Sequence, residues 1–194
     1  LERPDIEIIN LGILEDTPDA LLKSFNQASQ IADMIISTGG VSVGDADHTK
    51  TALQQSGQVD FWKIAIKPGR PLAFGKLGNS VFFGLPGNPV AVMVTYFQFV
   101  LPALELMLGI KEKPIQPTLQ VKTTENIRKK PGRTEIVRGV LTQQSDGSYR
   151  VKTTGKQGSG ILRSMSIANA FIILEHDRVS ISVGETVTVQ PFAG

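Results

Sequence analysis

Residues 35–50 constrain the fold of this chain more than any other stretch. They begin with the apolar, β-branched pair Ile35 and Ile36, which is typical of a buried strand in a parallel sheet. The strand stops at Gly39 and Gly40, where glycine allows a positive φ and a close approach of backbone N–H groups to a ligand. In an open α/β sheet, ligands bind at the carboxyl ends of the strands. The stretch therefore predicts an α/β domain with a ligand site at this strand end.

Polar and charged residues follow the two glycines closely. Ser42, Gly44, Asp45 and Asp47 lead into a predicted helix that carries Lys50. Backbone donors suit phosphate oxygens, and a nearby aspartate can hold a divalent cation that bridges those oxygens. The alternative is a glycine-rich turn with solvated aspartates, and this pattern alone leaves both interpretations open.

Composition narrows the classes of function. The 194 residues carry 20 Lys and Arg against 18 Asp and Glu, so the net charge of +2 gives no general attraction to nucleic acid or to an anionic membrane. The absence of cysteine excludes disulfides and thiolate metal sites and is compatible with a reducing cytoplasm. No apolar run reaches the roughly 18 residues that span a bilayer, and the charged, proline-containing start is not that of a signal peptide. We expect a cytoplasmic protein that binds neither nucleic acid nor membrane.

The first half of the chain predicts alternating strands and helices. An apolar strand is predicted over residues 6–11, and Pro18 begins a helix for which Asp16 or Thr17 is the cap. Further predicted elements are a helix over residues 48–55, a strand over residues 60–67, and two strands over residues 72–75 and 81–84 joined by a hairpin at Gly78 and Asn79.

Three cations surround a stiff turn in this half. Lys63 and Lys67 lie four residues apart, so on a single strand both side chains would point to the same face. Lys67 and Arg70 flank Pro68 and Gly69, a turn that can fix two cations beside an anionic ligand. The alternative is a solvated strand face, but the turn favours a functional role.

A long apolar helix is predicted after the loop formed by Pro86, Gly87 and Asn88. Asn88 fits the N-cap of this helix and Pro89 its first position. The amino end of the helix is a natural anion site. Pro102 should kink the helix because proline removes one backbone hydrogen bond.

The sequence changes in character after residue 110. We predict an α/β domain over residues 1–110 and an all-β domain over residues 111–194, because a polar stretch with two prolines, residues 111–117, suits an interdomain linker. The second domain is predicted to hold strands over residues 119–123, 135–141, 149–153, 170–174 and 186–191, with a short helix over residues 161–168.

Three loops taken together resemble one family. Gly-Gly-Val-Ser-Val-Gly-Asp-Ala-Asp at residues 39–47, Ile-Lys-Pro-Gly-Arg-Pro at 66–71 and Gly-Leu-Pro-Gly-Asn-Pro-Val at 84–90 are similar, in order and spacing, to the molybdopterin molybdenumtransferases, the MoeA and gephyrin E-domain family. Gly-Ser-Gly-Ile-Leu at 158–162 resembles part of that family's last domain. The resemblance implies a three-layer α/β domain of the molybdopterin-binding type with a mostly parallel sheet, incomplete at its N-terminus, followed by a small all-β domain.

The resemblance also implies a function in molybdenum cofactor biosynthesis. Enzymes of this family are transferases that insert molybdenum from molybdate into adenylylated molybdopterin and hydrolyse the adenylate in a step that depends on Mg²⁺ and molybdate. Molybdate and the adenylylated molybdopterin would be the substrates, and Mg²⁺ the cofactor. The chemistry is a metal-assisted phosphoanhydride cleavage coupled to ligand exchange at an oxyanion.

Residue roles follow from the same resemblance. The catalytic residues would be Asp16, Asp47, Lys63 and Lys67, and Asp47 would be the ligand of Mg²⁺. The substrate-binding residues would be Gly39, Gly40, Ser42, Gly44, Asp45, Lys50, Pro68, Gly69, Arg70, Pro86, Gly87, Asn88 and Pro89.

The chain resembles the carboxyl-terminal half of such an enzyme. Members of the family are longer, and they carry further amino-terminal domains and a Thr-Gly-Asp-Glu-Leu-type strand and loop that adds an acid to the active site. Because their active sites are built across a homodimer, we expect the full-length protein to be a homodimer and the 194-residue chain alone to be inactive. A molybdopterin adenylyltransferase is the expected substrate donor.

Three alternatives stand beside this interpretation. A molybdopterin adenylyltransferase-like enzyme would share the α/β domain and the Gly-Gly loop, but the all-β domain and the Leu-Pro-Gly-Asn-Pro loop argue against it. A non-catalytic pterin-binding or scaffolding module would share the fold without the chemistry. A generic nucleotide binder is disfavoured because the chain has neither a P-loop nor a Rossmann fingerprint.

Overall fold

The computed structural model describes four stretches of the chain, residues 4–40, 48–110, 117–158 and 161–192. Within these stretches, the side chains of Lys50, Phe61 and Trp62 are not described. All but the last residue of the predicted linker, residues 111–117, lies outside the described residues.

The secondary structure alternates at first and then becomes mainly β. The helices are α1 (Pro18–Ile31), α2 (His48–Ser56), α3 (Pro89–Thr95), a π-helical turn (Tyr96–Val100), α4 (Leu101–Met107) and α5 (Arg163–Ile167). The strands are β1 (Met34–Thr38), β2 (Gly57–Lys63), β3 (Ile66–Lys67), β4 (Pro71–Leu77), β5 (Ser80–Leu85), β6 (Leu119–Thr123), β7 (Thr134–Gln143), β8 (Tyr149–Thr153), β9 (Ala170–Leu174) and β10 (Thr186–Pro191).

By packing, the described residues fall into two compact units. The first holds the residues up to Trp62 together with Pro71–Gly87, and the second holds Lys63–Arg70 together with the residues from Asn88 onward. The short segment 63–70 therefore packs with the later part of the chain. The domain boundary predicted at residues 110 and 111 stays a prediction.

The first unit is a four-stranded sheet with helices packed on it. The strand order is β1-β5-β4-β2, with β1 parallel to β5 and β4 antiparallel to β5. Pro18 occupies the first turn of α1, as predicted, and Leu21, Phe25 and Ala28 bury one face of that helix in the core. The hairpin between β4 and β5 is also confirmed, and it turns at Gly78 with a φ of 57°.

The strand predicted over residues 6–11 is wrong, since no strand forms there. The side chains of Ile8 and Ile9 are 50% and 45% exposed. A strand is stabilised by hydrogen bonds to a neighbouring strand, and residues 6–11 pair with none of the described strands.

The second unit contains a closed β-barrel, which confirms the predicted all-β domain and each of its five predicted strands. The six-stranded sheet has the order β3-β7-β8-β6-β10-β9, and it closes because β7 pairs with both β8 and β9. Gly139 lies where β7 passes from one partner to the other, and a Cβ there would lie 2.8 Å from Cγ1 of Ile172. Val137, Val151 and Val189 belong to the interior of the barrel.

One long helix packs against the outside of this barrel. Val90 and Val94 of α3 share a buried cluster with Phe171 of β9. Ahead of Pro102, where the sequence predicts a kink, the helix widens to π pitch. Among the described residues, Pro89–Met107 is long and apolar enough to cross a membrane by length and composition, a test that the core helix of a soluble protein also passes.

Candidate functional site

Two glycines end β1 and form what we call the glycine turn, Gly39 and Gly40. Their φ angles are 83° and 65°, in the left-handed region that favours glycine. The N–H of Gly39 donates to the carbonyl of Leu85 at 3.1 Å, which extends the parallel pairing of β1 and β5 by one residue. The turn thus lies at the carboxyl end of two parallel strands, the position at which α/β sheets bind ligands.

Gly87 lies beside this turn. A Cβ built on Gly87 would lie 3.6 Å from the Cα of Gly39, so the two loops are in van der Waals contact. Pro86 is buried and Gly87 is exposed. A Cβ on Gly39 would meet no atom of the described residues within 4 Å. The structure therefore brings four predicted site residues together, Gly39, Gly40, Pro86 and Gly87.

Gly40 packs against the first turn of α2. A Cβ built on Gly40 would lie 2.1 Å from Oγ1 of Thr49, a residue that is 6% exposed. Both the backbone angle and this close approach therefore require glycine at residue 40. Sequence reasoning missed Thr49, because nothing in the sequence distinguishes this threonine except its position after the predicted loop.

A second residue that sequence reasoning missed is Ser37 on β1. Among the described residues, its Oγ is the one buried side-chain nitrogen or oxygen atom without a hydrogen-bond partner. A buried hydroxyl without a partner costs about 1–3 kcal/mol. Ser37 therefore offers an available hydrogen-bonding group two residues before the glycine turn. The feature of the sequence that could have indicated it is a serine directly after an apolar run.

The acidic part of the predicted site is not described. Ser42, Gly44, Asp45 and Asp47 lie outside the described residues, and so does the side chain of Lys50. Their assignments stay predictions.

Asp16 is described and is exposed in the turn before α1. Thr17 occupies the N-cap position of that helix, although its side chain makes no capping hydrogen bond. Among the described residues, no group of three or more histidines, cysteines and acids could hold a metal ion. The catalytic role of Asp16 stays a prediction.

The three predicted cations all lie in residues Lys63–Arg70, a closed loop of the second unit that we call the cation loop. The prediction of a single strand over residues 60–67 is wrong, because the strand breaks after Lys63 and β3 joins the other sheet. The N–H of Ile64 donates to the carbonyl of Arg70 at 2.9 Å and closes the loop. The argument that Lys63 and Lys67 share one strand face therefore fails.

Lys67 is anchored to the barrel. Its Nζ lies 3.1 Å from Oε2 of Glu135, and the two residues are direct partners in the parallel pairing of β3 and β7. The Lys67 side chain is 52% exposed, whereas that of Glu135 is 13% exposed. No described carboxylate forms an ion pair with Lys63 or Arg70, both of which are exposed. Sequence reasoning missed Glu135, because nothing local marks a partner so far along the chain.

The turn inside the cation loop is seated on α3. The peptide bond between Lys67 and Pro68 is cis, and Gly69 is buried with a φ of 103°. A Cβ on Gly69 would lie 2.6 Å from Cγ2 of Thr95. Glycine is therefore required at residue 69 both for its backbone angle and for its contact with the helix.

Asn88 caps α3, as predicted. Its Oδ1 accepts hydrogen bonds from the N–H groups of Val90 at 3.1 Å and Ala91 at 3.4 Å. Pro89 has no N–H, and the N–H of Val92 donates to the carbonyl of Asn88. The N–H groups of Val90 and Ala91 are thus engaged by the cap, and the anion site expected at this helix end stays a prediction.

A buried arginine contacts Gly158, the first residue of the Gly-Ser-Gly-Ile-Leu motif of the family resemblance, and Ser164, which follows the motif. Arg138 is 1% exposed, and it donates from Nε to Oγ of Ser164 and from Nη2 to the carbonyl of Gly158, both at 3.0 Å. Burial lowers the pKa of this guanidinium from its ordinary value. The side chain of Gln157 pairs with the backbone N–H and carbonyl of Arg138.

Two family models match the chain. One, described as "Probable molybdopterin binding domain", matches residues 1–106. The other, described as "MoeA C-terminal region (domain IV)", matches residues 120–192. Together they cover both compact units and follow the order of the predicted α/β and all-β domains.

Individual relatives give the same assignment. The chain is 45% identical to the molybdopterin molybdenumtransferase of Haemophilus influenzae over 192 residues, which is 99% of this chain and 48% of that protein. It is 32% identical to the molybdopterin molybdenumtransferase of Nostoc over 94% of this chain and 43% of that protein. The crystal structure of a molybdopterin biosynthesis MoeA protein from Pyrococcus horikoshii is similar with a TM-score of 0.72 and 26% identity, over 95% of this chain and 41% of that chain. The chain thus spans about half the length of the curated relatives it matches or less.

Proposed function

Because the chain belongs to the molybdopterin molybdenumtransferase (MoeA) family, we propose that its full-length form inserts molybdenum from molybdate into adenylylated molybdopterin with hydrolysis of the adenylate. One observation carries the proposal. The glycine turn lies beside Gly87 at the carboxyl ends of two parallel strands, inside the part of the chain that matches a molybdopterin-binding domain. The match of residues 120–192 to a MoeA C-terminal region favours this function over an adenylyltransferase or a generic nucleotide binder.

The glycine turn would receive the phosphate or the pterin of the substrate. Gly39 has no Cβ, and no described residue comes within 4 Å of where a Cβ would lie, so a ligand could approach the backbone closely. Ser37 adds a buried hydroxyl near the same strand end. Pro86 and Gly87 would form the adjacent wall of the pocket.

The cation loop would bind the anionic parts of the substrates. The positive charges of Lys63, Lys67 and Arg70 lie on a loop whose two ends are joined by a backbone hydrogen bond. Ammonium and guanidinium groups form short, charge-assisted hydrogen bonds to phosphate and to oxyanions such as molybdate. Holding them on a fixed loop lets them orient the substrate and offset its charge.

We also propose that Mg²⁺ assists the hydrolysis. Carboxylate oxygens are the ligands that Mg²⁺ prefers, so Asp47, with Asp45 close by in sequence, has the right donor chemistry. These acids lie in sequence between Gly40 of the glycine turn and Thr49, two described residues that contact one another. When bound, the ion would neutralise charge on the phosphoanhydride oxygens.

The test is an assay of the full-length protein with adenylylated molybdopterin, molybdate and Mg²⁺, in which released AMP and molybdenum cofactor are measured. We expect the variant Asp47→Ala to lose AMP release by about 100-fold or more. Glu175→Gln is the matched control, since Glu175 is an exposed carboxylate paired with Arg178 on the barrel. AMP release by Asp47→Ala at the rate of the control would contradict the proposal, as would failure of the parent protein to produce cofactor.

The remaining family properties are proposals for the full-length protein. We propose a cytoplasmic homodimer that receives its substrate from a molybdopterin adenylyltransferase and binds neither nucleic acid nor membrane. Light scattering of the purified full-length protein tests the dimer directly. A monomer at assay concentrations that still turns over substrate would contradict it.

A further inference from the structure

We propose that Glu135 is a positioning residue that holds the Lys67 ammonium in place for the anionic substrate, an inference that rests on the proposed function. No sequence motif marks Glu135, and it lies 68 residues beyond the lysine it contacts. The two residues are joined by the fold alone.

The pairing of β3 with β7 sets the contact. Ile66 pairs with Thr134 and Lys67 with Glu135 in a parallel arrangement. Paired residues of neighbouring strands place their side chains on the same face of the sheet. The Nζ of Lys67 donates to Oε2 of Glu135 at 3.1 Å, so the strand pairing brings the carboxylate to the ammonium.

The two partners are buried to different degrees. The side chain of Glu135 is 13% exposed and belongs to a strand of the closed barrel, so it is the fixed partner. The side chain of Lys67 is 52% exposed, so its ammonium is presented to solvent. An ammonium has three N–H donors, and the contact with Glu135 uses one of them. The others remain for oxygens of a ligand.

The loop backbone does not depend on this ion pair. The N–H of Thr134 donates to the carbonyl of Ala65 at 2.9 Å, and the N–H of Ile64 donates to the carbonyl of Arg70 at 2.9 Å. Gly69 is seated against Thr95. Removing the carboxylate would therefore leave the loop in place and free only the lysine side chain.

A free lysine side chain binds less well than an ordered one. It samples many rotamers, and binding a ligand then costs the entropy of ordering them. Glu135 orders the side chain in advance. Because the Lys67 end of the pair is 52% exposed and Gln can fill the place of Glu135, loss of the ion pair should affect the stability of the fold very little. The role of Glu135 is thus visible in substrate binding and not in folding.

The experiment compares variants of the full-length enzyme in the assay described above. Glu135→Gln keeps the shape of the side chain and removes its charge, and we expect it to raise KM for adenylylated molybdopterin about fivefold with kcat within about twofold and an unchanged melting temperature. Glu135→Asp should recover part of the loss, since the lysine side chain can reach a shorter carboxylate. Glu175→Gln, the control from the same barrel, should leave KM unchanged.

A double variant isolates the contact. In a Lys67→Ala background, Glu135→Gln should have no further effect on Kd for adenylylated molybdopterin, measured by calorimetric titration so that turnover is not needed, because the group it positions is gone. An unchanged KM in Glu135→Gln overturns the inference, and so does an equal effect of Glu135→Gln with and without Lys67. A parent enzyme without turnover overturns the proposed function and this inference with it, so the two failures are distinguishable.

Discussion

The glycine turn and the cation loop are held in different ways. The glycine turn is held by β5, the neighbouring strand of its own sheet, and by the first turn of the next helix, through the contacts of Gly39 with Leu85 and of Gly40 with Thr49. The cation loop is held on the barrel by the hydrogen bond from the N–H of Thr134 to the carbonyl of Ala65, and its Lys67 side chain pairs with Glu135. The first segment is thus positioned within an α/β sheet, and the second depends on a barrel that forms from later sequence.

This difference indicates where each segment is sensitive to change. The glycine turn tolerates little at Gly40, because the neighbour there is the buried side chain of Thr49. The cation loop should tolerate somewhat more at Gly69, because a Cβ there would lie 2.6 Å from Cγ2 of the buried Thr95, a smaller overlap than the 2.1 Å approach at Gly40.

Gly40→Ala should be the most destabilising change. A φ of 65° costs an L-residue about 1–2 kcal/mol, and the overlap with Thr49 adds to that, so we expect a loss of about 2–4 kcal/mol in the free energy of unfolding. Urea denaturation followed by circular dichroism measures it. Gly39→Ala is the control, since its Cβ would meet no atom within 4 Å, and it should cost about 1 kcal/mol. Equal losses in the two variants would show that Thr49 is not the constraint.

Gly69→Ala should cost about 1–2 kcal/mol by the same measurement, from a φ of 103° and the contact with Cγ2 of Thr95. Thr95→Ser removes that methyl and keeps the hydroxyl, which bonds to the carbonyls of Ala91 and Val92. The double variant should therefore recover the part of the loss due to overlap. If it recovers nothing, the backbone angle alone accounts for the cost.

Asn88→Ala should cost about 1 kcal/mol, because it removes the acceptor of two N–H groups at the start of α3. Asn88→Asp keeps an acceptor at the same place and should retain most of the stability. Thermal denaturation of the three proteins side by side is sufficient. A loss in Asn88→Asp equal to that in Asn88→Ala would mean that the cap contributes nothing.

Gly87→Ala should have the smallest effect on folding, within about 0.5 kcal/mol, because its Cβ would lie at an ordinary contact distance of 3.6 Å from Gly39. The added methyl should nevertheless weaken substrate binding, since it fills space beside the glycine turn. Denaturation and ligand titration on the same preparation separate the two effects. A destabilised variant would show that Gly87 is required by the fold.

The features that the sequence predicts correctly are those with local causes, and the ones it misses depend on pairing with distant strands. Features with local causes were predicted correctly, such as the proline-started helix α1, the Gly78 hairpin, the Asn88 cap and the barrel strands with their turn signals. The break between β2 and β3 was not predicted, because it comes from pairing with β7. The strand over residues 6–11 failed for the converse reason, since propensity without a partner strand does not make a strand.

The candidate site divides along the same line. The glycine turn and its contact with Gly87 follow from the rule that ligands meet the carboxyl ends of parallel strands. Glu135 and Thr95 could not be predicted, because a tertiary contact between distant residues leaves no mark on a single sequence. The family resemblance predicted the roles of Asp45 and Asp47, and these stay predictions.

The proposed function requires that the glycine turn and the cation loop each bind adenylylated molybdopterin in the full-length protein. The decisive measurement is calorimetric titration of the full-length protein with this ligand and Mg²⁺, without molybdate so that turnover does not occur. We predict that Gly87→Ala and Lys67→Ala each raise Kd by about tenfold and that the control Glu175→Gln leaves it unchanged. If either of the first two variants binds with the affinity of the parent protein, the segment that carries it does not serve this ligand and the claim is wrong.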